Sequence, residues 1–73
     1  MNINNCDLRT FENFPNLPSL AELNVSRNSL RGSFEYIVKN RALTYIDVSH
    51  NIIADIKRFE PFRILKNIKL YAK

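Results

Sequence analysis

Residues 20–30 read LAELNVSRNSL, and residues 43–53 read LTYIDVSHNII. Both segments fit the pattern L-x-x-L-x-L-x-x-N-x-L at every specified position when Ile and Val are allowed in place of Leu. The second segment follows the first at an offset of 23, and residues 1–8 match the last part of the pattern at an offset of 22. Apolar positions and an asparagine that recur at one spacing indicate internal structural repeats.

A period of about 20–29 residues with this pattern is typical of leucine-rich repeats. Side chains alternate along a strand, so Leu23 and Val25 should face the core while Glu22, Asn24 and Ser26 face outward. The sequence therefore predicts an α/β fold: a leucine-rich repeat solenoid with a short parallel β-sheet on the concave face. The convex face should carry helical or 3₁₀ returns.

The whole chain, residues 1–73, is predicted to be a single leucine-rich repeat domain. It holds about three repeats, at residues 1–22, 23–45 and 46–70. An incomplete fourth begins near Ile68, where Tyr71 would match Ile46 and Lys73 would also point inward. Both ends of the core look open, so we expect either further residues or another chain to cover them.

The predicted core consists of the inward apolar positions: Met1, Ile3, Leu8, Leu20, Leu23, Val25, Leu30, Phe34, Ile37, Leu43, Ile46, Val48, Ile53, Ile56, Phe59, Leu65 and Ile68. A short helix is expected over residues 33–39, with Ser33 as its N-cap. Pro61 should prevent one continuous helix in the next return and leave a helical or 3₁₀ turn on each side. Pro15 and Pro18 predict an irregular first return.

Asn28 and Asn51 hold the same position in the turn after each strand. Such a turn buries backbone N–H and C=O groups, and an unpaired buried group costs about 1–3 kcal/mol. Asparagine offers both a donor and an acceptor. We therefore predict a structural asparagine ladder, with Cys6 in the equivalent place of the first repeat. The alternative is that these are simply turn-favouring polar residues.

The outward strand positions form a candidate partner-binding concave face, because solenoids present extended concave surfaces to their partners. Its predicted residues are Asn2, Asn4, Glu22, Asn24, Ser26, Tyr45, Asp47 and Ser49, with Lys69 at the margin. Tyr45 is the one aromatic among the first eight, and exposed tyrosine is a frequent interface anchor. The alternative is that any such sheet turns polar residues to solvent.

Cysteine and histidine counts argue against disulfides and metal sites. Cys6 is the only cysteine and His50 the only histidine, so neither a disulfide nor a structural zinc site is expected.

The sequence has no signal-peptide pattern and no apolar run long enough to span a membrane. We therefore expect an intracellular protein, in the nucleus, the cytoplasm or both.

No pattern of catalytic residues is present, and no catalytic, metal or cofactor-binding residue is predicted. Asp47, Ser49 and His50 are close in sequence, but alternation places no base beside the Ser49 hydroxyl. We therefore expect a non-catalytic protein that needs no cofactor.

Five segments together resemble the acidic leucine-rich nuclear phosphoprotein 32 family. These are residues 4–8 (NNCDL), 23–35 (LNVSRNSLRGSFE), 42–56 (ALTYIDVSHNIIADI), 60–62 (EPF) and 65–69 (LKNIK). The resemblance covers the repeats and omits the helical caps and the Asp/Glu-rich tail of that family, as in a truncated member. It implies a curved repeat domain of nucleus and cytoplasm that binds histones or phosphatase 2A as a chaperone or inhibitor.

Two alternatives remain open, and the first follows from the uneven charge. Residues 1–36 carry a net charge of −1 and residues 37–73 carry +5. The basic half could bind RNA or an anionic membrane surface, because aromatic residues interleave with its cations. A nucleic-acid partner through the basic C-terminal half is the less favoured interpretation, since the core contains most of those aromatic residues. The other alternative is a truncated copy without independent function.

Overall fold

The fold consists of three short strands and two 3₁₀ helices in the computed structural model, which describes residues 1–72. Strands β1 (Glu22–Asn24), β2 (Tyr45–Asp47) and β3 (Lys69–Tyr71) form one parallel sheet in the order β1-β2-β3. The first 3₁₀ helix, Phe34–Tyr36, connects β1 to β2, and the second, Ile56–Ile64, connects β2 to β3. A parallel sheet with one helical return between strands agrees with the predicted α/β class. Within residues 1–72 no helix is long and apolar enough to cross a membrane.

The register of β1 and β2 follows the sequence repeat. Leu23 lies beside Ile46, which reproduces the offset between the two matching segments. A parallel bridge joins Asn2 to Asn24 at the predicted offset of 22. The Asn24 N–H donates to the Met1 carbonyl at 2.9 Å. Residues 1–3 therefore extend the sheet beyond β1 in the register that the first repeat predicts.

The register of β3 differs from the prediction by one residue. Leu70 lies beside Ile46, and Tyr71 lies beside Asp47. The prediction that Tyr71 matches Ile46 was therefore wrong. A one-residue shift exchanges the two faces of a strand. The observed register puts Leu70 on the core side, where it is still 37% exposed, and Lys69 on the outer side. The predicted inward position of Lys73 lies outside the described residues.

The core lies between the sheet and the two 3₁₀ helices. Its buried apolar residues are Phe11, Leu20, Leu23, Val25, Leu30, Phe34, Ile37, Val38, Leu43, Ile46, Val48, Phe62 and Leu65. Two predicted members are exposed instead: Met1 is 56% exposed and Ile56 is 83% exposed. Ile56 begins the second 3₁₀ helix, ahead of the face formed by Phe59 and Phe62.

A column of phenylalanine rings joins the three returns. The Phe34 ring centroid lies 5.8 Å from Phe11, 5.4 Å from Phe59 and 5.0 Å from Phe62. Phe34 is fully buried, and Phe11 is 1% exposed. Aromatic rings at such separations contribute about 0.5–1.5 kcal/mol a pair beyond the area they bury. The column therefore connects the first, irregular return to the two helical ones.

Both later returns are 3₁₀ helices, one of the two predicted forms, but their lengths differ from the prediction. The first helix has only three residues, and Ser33 precedes it with φ 65° and without a side-chain capping bond. The second continues through Pro61, so the prediction of two separate turns was wrong. Proline removes one N–H donor, but its restricted φ falls within the range of a 3₁₀ helix. Asp55 caps this helix by accepting a hydrogen bond from the Lys57 N–H at 2.9 Å. Residues 10–20 contain turns only.

Gly32 leaves room for the second return. Its φ is 156°, which L side chains rarely adopt, and a Cβ there would lie 3.1 Å from Arg58 Cδ. The lack of a side chain lets the Arg58 stem cross the backbone just before the first 3₁₀ helix.

Candidate functional site

The sheet face opposite the core presents two rows of side chains, and we call it the exposed sheet face. In the first row Glu22, Tyr45 and Lys69 are register partners on the three strands. The second row joins Asn2, Asn24, Asp47 and Tyr71. Neighbouring strands lie about 4.8 Å apart, so the side chains of one row can touch a common ligand.

The second row also has a structural role at the strand ends. Each side-chain oxygen accepts a hydrogen bond from the backbone N–H two residues later, at 3.0 Å for Asn2, 2.9 Å for Asn24 and 2.9 Å for Asp47. These are Asx turns, which Asn and Asp form readily. Polar residues at these three positions therefore have a sufficient structural explanation.

Two predicted face residues are buried. Ser26 is 8% exposed and Ser49 is 5% exposed, which corrects their assignment to the accessible surface. The Ser26 hydroxyl donates to Asn24 Oδ1 at 2.7 Å, whereas Ser49 Oγ has no hydrogen-bond partner within residues 1–72. The alternation rule fails here because β1 and β2 end at Asn24 and Asp47, and the Asx turn redirects the chain.

Tyr45 is the central side chain of the exposed sheet face. It lines an open cleft of about 370 Å³ with Glu22, Thr44, Asn67 and Lys69. A second cleft of about 250 Å³ also has Tyr45 on its border, together with Met1, Asn2, Glu22, Leu23 and Asn24. The ring is half-buried. A carboxylate and an ammonium group flank it, so one aromatic anchor and both signs of charge are available within one row.

Tyr71 belongs to the same face, although the sequence interpretation missed it. Its register partner is Asp47, and 42% of the residue is exposed. The sequence contained a weak signal, since Tyr71 follows Asp47 at an offset of 24, close to the period of the repeat. Asn4, predicted to be outward, is exposed in the first turn.

Asn28 occupies the first complete turn and is 7% exposed. Its Oδ1 accepts hydrogen bonds from the N–H groups of Cys6 at 3.0 Å and Leu8 at 2.8 Å. Its Nδ2 lies within 3.1 Å of three carbonyl oxygens, those of Ile3, Val25 and Ser26. One side chain therefore joins its own repeat to the preceding one.

Asn51 makes the same connection one repeat later. Its Oδ1 accepts from the Leu30 N–H at 2.9 Å. Its Nδ2 donates to carbonyls of both repeats, those of Val25, Val48 and Ser49. Cys6 is exposed, and its Sγ lies 3.2 Å from the Asn4 carbonyl, two residues back. A thiol is only a weak donor. Of the side-chain contacts that Asn28 and Asn51 make, Cys6 therefore reproduces only the one with the carbonyl two residues earlier.

Asn40 is a further structural asparagine that the repeat pattern does not predict. It is 1% exposed, its Oδ1 accepts from the Leu17 N–H, and its Nδ2 donates to the Ile37 carbonyl at 3.1 Å. It ties the irregular first return to the end of the second.

Of the aromatic residues that interleave with the cations of the basic half, the two phenylalanines are not accessible for stacking on RNA bases, whereas Tyr71 is 42% exposed. Lys57 and Arg58 are exposed, but Phe62 is 5% exposed and Phe59 stacks on Phe34 in the core. Base stacking needs accessible rings. These two phenylalanines are structural.

The matching registers of β1 and β2, with an asparagine turn after each strand, define a leucine-rich repeat protein. The chain is 33% identical over 64 residues to acidic leucine-rich nuclear phosphoprotein 32 family member A of Drosophila melanogaster. It is 31% identical over 64 residues to the protein of that name in Drosophila pseudoobscura pseudoobscura. These similarities confirm the resemblance to the family. Each match covers 88% of this chain, which spans about a quarter of the length of these relatives. No family model and no solved structure matches the chain.

Proposed function

We propose that this chain is a non-catalytic protein-interaction module, built as a short leucine-rich solenoid of the acidic leucine-rich nuclear phosphoprotein 32 type. The observation that supports the proposal most is the position of Tyr45. The ring stands on the exposed sheet face between Glu22 and Lys69 and lines two adjacent clefts. Tyrosine in such a setting contributes much binding area at a low entropic cost.

The charge of the face favours a basic protein partner. Among the side chains of residues 1–72 on the face, Glu22 and Asp47 place two carboxylates there and Lys69 places one ammonium group. Complementary charge speeds association and gives specificity. Histones are therefore the first partner to test, and phosphatase 2A, which the family resemblance also implies, is the second. The relatives are named nuclear proteins, and we propose the nucleus as the place of action.

A binding experiment on the full 73-residue chain tests the proposal. The immobilised chain is titrated separately with recombinant histone H3–H4 and with the phosphatase 2A catalytic subunit, and the Kd is measured by interferometry. Tyr45→Ala should weaken binding about tenfold or more, because truncation of an interface anchor costs about 2 kcal/mol. Tyr45→Phe should keep most of the affinity, since it keeps the ring.

Tyr36→Ala is the matched control. Tyr36 lies on the first 3₁₀ helix and is half-buried, on the other side of the sheet from Tyr45. Provided that circular dichroism shows the native fold, this variant should bind like the parent chain. Unchanged affinity of Tyr45→Ala would contradict the proposal, and so would a failure of both probes to bind. If only an RNA oligonucleotide binds, and binding is lost at about 0.5 M salt, the basic half is the functional surface instead.

A further inference from the structure

A pair of arginines stands in equivalent positions beyond the asparagine turns. Arg9 follows Leu8, and Arg31 follows Leu30, at the same offset that relates Asn2 to Asn24 in the sheet. The backbones of these segments are held side by side, because the Ser29 N–H donates to the Leu8 carbonyl at 2.8 Å. Two arginine side chains therefore start from adjacent backbone segments of neighbouring repeats. Like charges on neighbouring repeats repel each other unless an anion lies near both.

An open cleft lies between these repeats. It has a volume of about 340 Å³ and is lined by Arg9, Ser29, Arg31 and Ile52. Both arginines are exposed, and the Arg58 stem passes Gly32, the residue next to Arg31. The cleft is remote from Tyr45 in the fold, because Tyr45 is at the start of a strand and the arginines lie after the turns.

Asp7 is not among the residues that line this cleft, but its carboxylate contacts two of them. Its carboxylate accepts from the Ser29 hydroxyl at 3.2 Å and lies 3.7 Å from Arg9 Nη2. The Asp7 and Arg9 side chains are 72% and 79% exposed, so this ion pair is weak and easily exchanged for a better anion. Within residues 1–72, Arg31 has no carboxylate within ion-pair distance. One anionic group therefore takes only part of the available donors.

We propose that this cleft binds a phosphate group, with Arg9, Arg31 and Ser29 as its donors. A phosphate monoester carries three terminal acceptor oxygens and a charge of about −1.5 to −2 at neutral pH. Two guanidinium forks and one hydroxyl match that set, and arginine pairs with phosphate through two parallel hydrogen bonds. A carboxylate such as that of Asp7 has only two oxygens and one charge. The phosphate displaces Asp7 from Arg9 and Ser29 and brings Arg31 to the same ligand.

The test is a titration of the ¹⁵N-labelled chain with inorganic phosphate, followed by NMR at low salt. The Ser29 and Arg31 amide signals should shift saturably at millimolar phosphate, and Arg31→Gln should weaken binding about fivefold or more. Asp7→Asn should strengthen binding about threefold, because it removes the competing carboxylate. Asp7 has a φ of 57°, which asparagine tolerates, so the fold should be unchanged.

Arg41→Gln is the matched control, because Arg41 is also exposed but precedes β2 at the opposite end of the strand. It should leave phosphate binding unchanged. The proposal is overturned if Arg41→Gln weakens binding as much as Arg31→Gln, if Asp7→Asn weakens it, or if acetate binds as tightly as phosphate. A phosphoserine peptide that binds more tightly than inorganic phosphate identifies a phosphorylated protein as the source. Equal affinities identify the free ion, and both results support the site.

Discussion

Replacing Asn28 with alanine should remove a large part of the stability of this small domain. The substitution leaves the Cys6 and Leu8 N–H groups without their acceptor, and three carbonyls lose a shared donor. Each orphaned N–H costs about 1 kcal/mol, the low end of the usual range, because water reaches the partly buried bonds. The two lost Nδ2 donors add about 1 kcal/mol each. We expect Asn28→Ala to lower the free energy of unfolding by about 3–4 kcal/mol.

That loss is large against the stability of the whole chain. At about 0.05–0.15 kcal/mol per residue, 73 residues give roughly 4–11 kcal/mol. Asn51→Ala should cost about 1 kcal/mol less than Asn28→Ala, because within residues 1–72 Asn51 Oδ1 accepts from the Leu30 N–H alone. If stability depends on the number of hydrogen bonds lost, Asn28→Ala should lower the free energy of unfolding more than Asn51→Ala does.

Urea unfolding, followed by tyrosine fluorescence and circular dichroism, measures these differences. Asn16→Ala is the control, since Asn16 is exposed in the first return and its loss should change stability by less than about 0.5 kcal/mol. If Asn28→Ala stays within about 0.5 kcal/mol of the parent chain, the ladder does not stabilise the fold and the reasoning fails.

Two further substitutions test features that the repeat pattern does not contain. Asn40→Ala removes a fully buried side chain that bonds Leu17 and Ile37, and should cost about 2 kcal/mol by urea unfolding; a neutral result would show that water replaces it. Gly32→Ala should cost about 1–3 kcal/mol through its backbone conformation. Adding Arg58→Ala should recover less than half of that cost, because the Arg58 stem is flexible, and full recovery would show that the side-chain contact dominates.

The sequence predicted the structure best at the residues that belong to the repeat motif itself. Leu23 and Ile46 face the core in register, and Asn28 and Asn51 take equivalent places in their turns. Each of these positions lies within one short motif, in which alternation and turn chemistry decide the structure locally.

Prediction failed in segments that have no equivalent motif in another repeat with which they could be aligned. No asparagine turn follows β3 within residues 1–72, so the register of Tyr71 could be set only by counting, and the count was wrong by one residue. The buried positions of Phe11 and Asn40 depend on contacts between returns of unequal length. The phenylalanine spacing did contain a signal, since Phe11 and Phe34 are separated by the same offset as Leu20 and Leu43.

The residues of the exposed sheet face were predicted only in part, because the strands are short. Alternation placed Glu22 and Tyr45 correctly on the outside of their strands, but it was extended too far when it was applied to Ser26 and Ser49. A strand of three residues is too short for alternation to continue beyond its ends.

The asparagine ladder also sets the order in which the turns of successive repeats can form during translation. The Oδ1 atoms of Asn28 and Asn51 accept from N–H groups of the preceding repeat, those of Leu8 and Leu30. On a ribosome the turn of one repeat stays without its acceptor until the asparagine of the next repeat has emerged. The two bonds span 20 and 21 residues, so at about 5–20 residues per second this delay is roughly 1–4 seconds. Each repeat therefore reaches its native turn only after its successor has been translated, and the newest repeat is always the least complete.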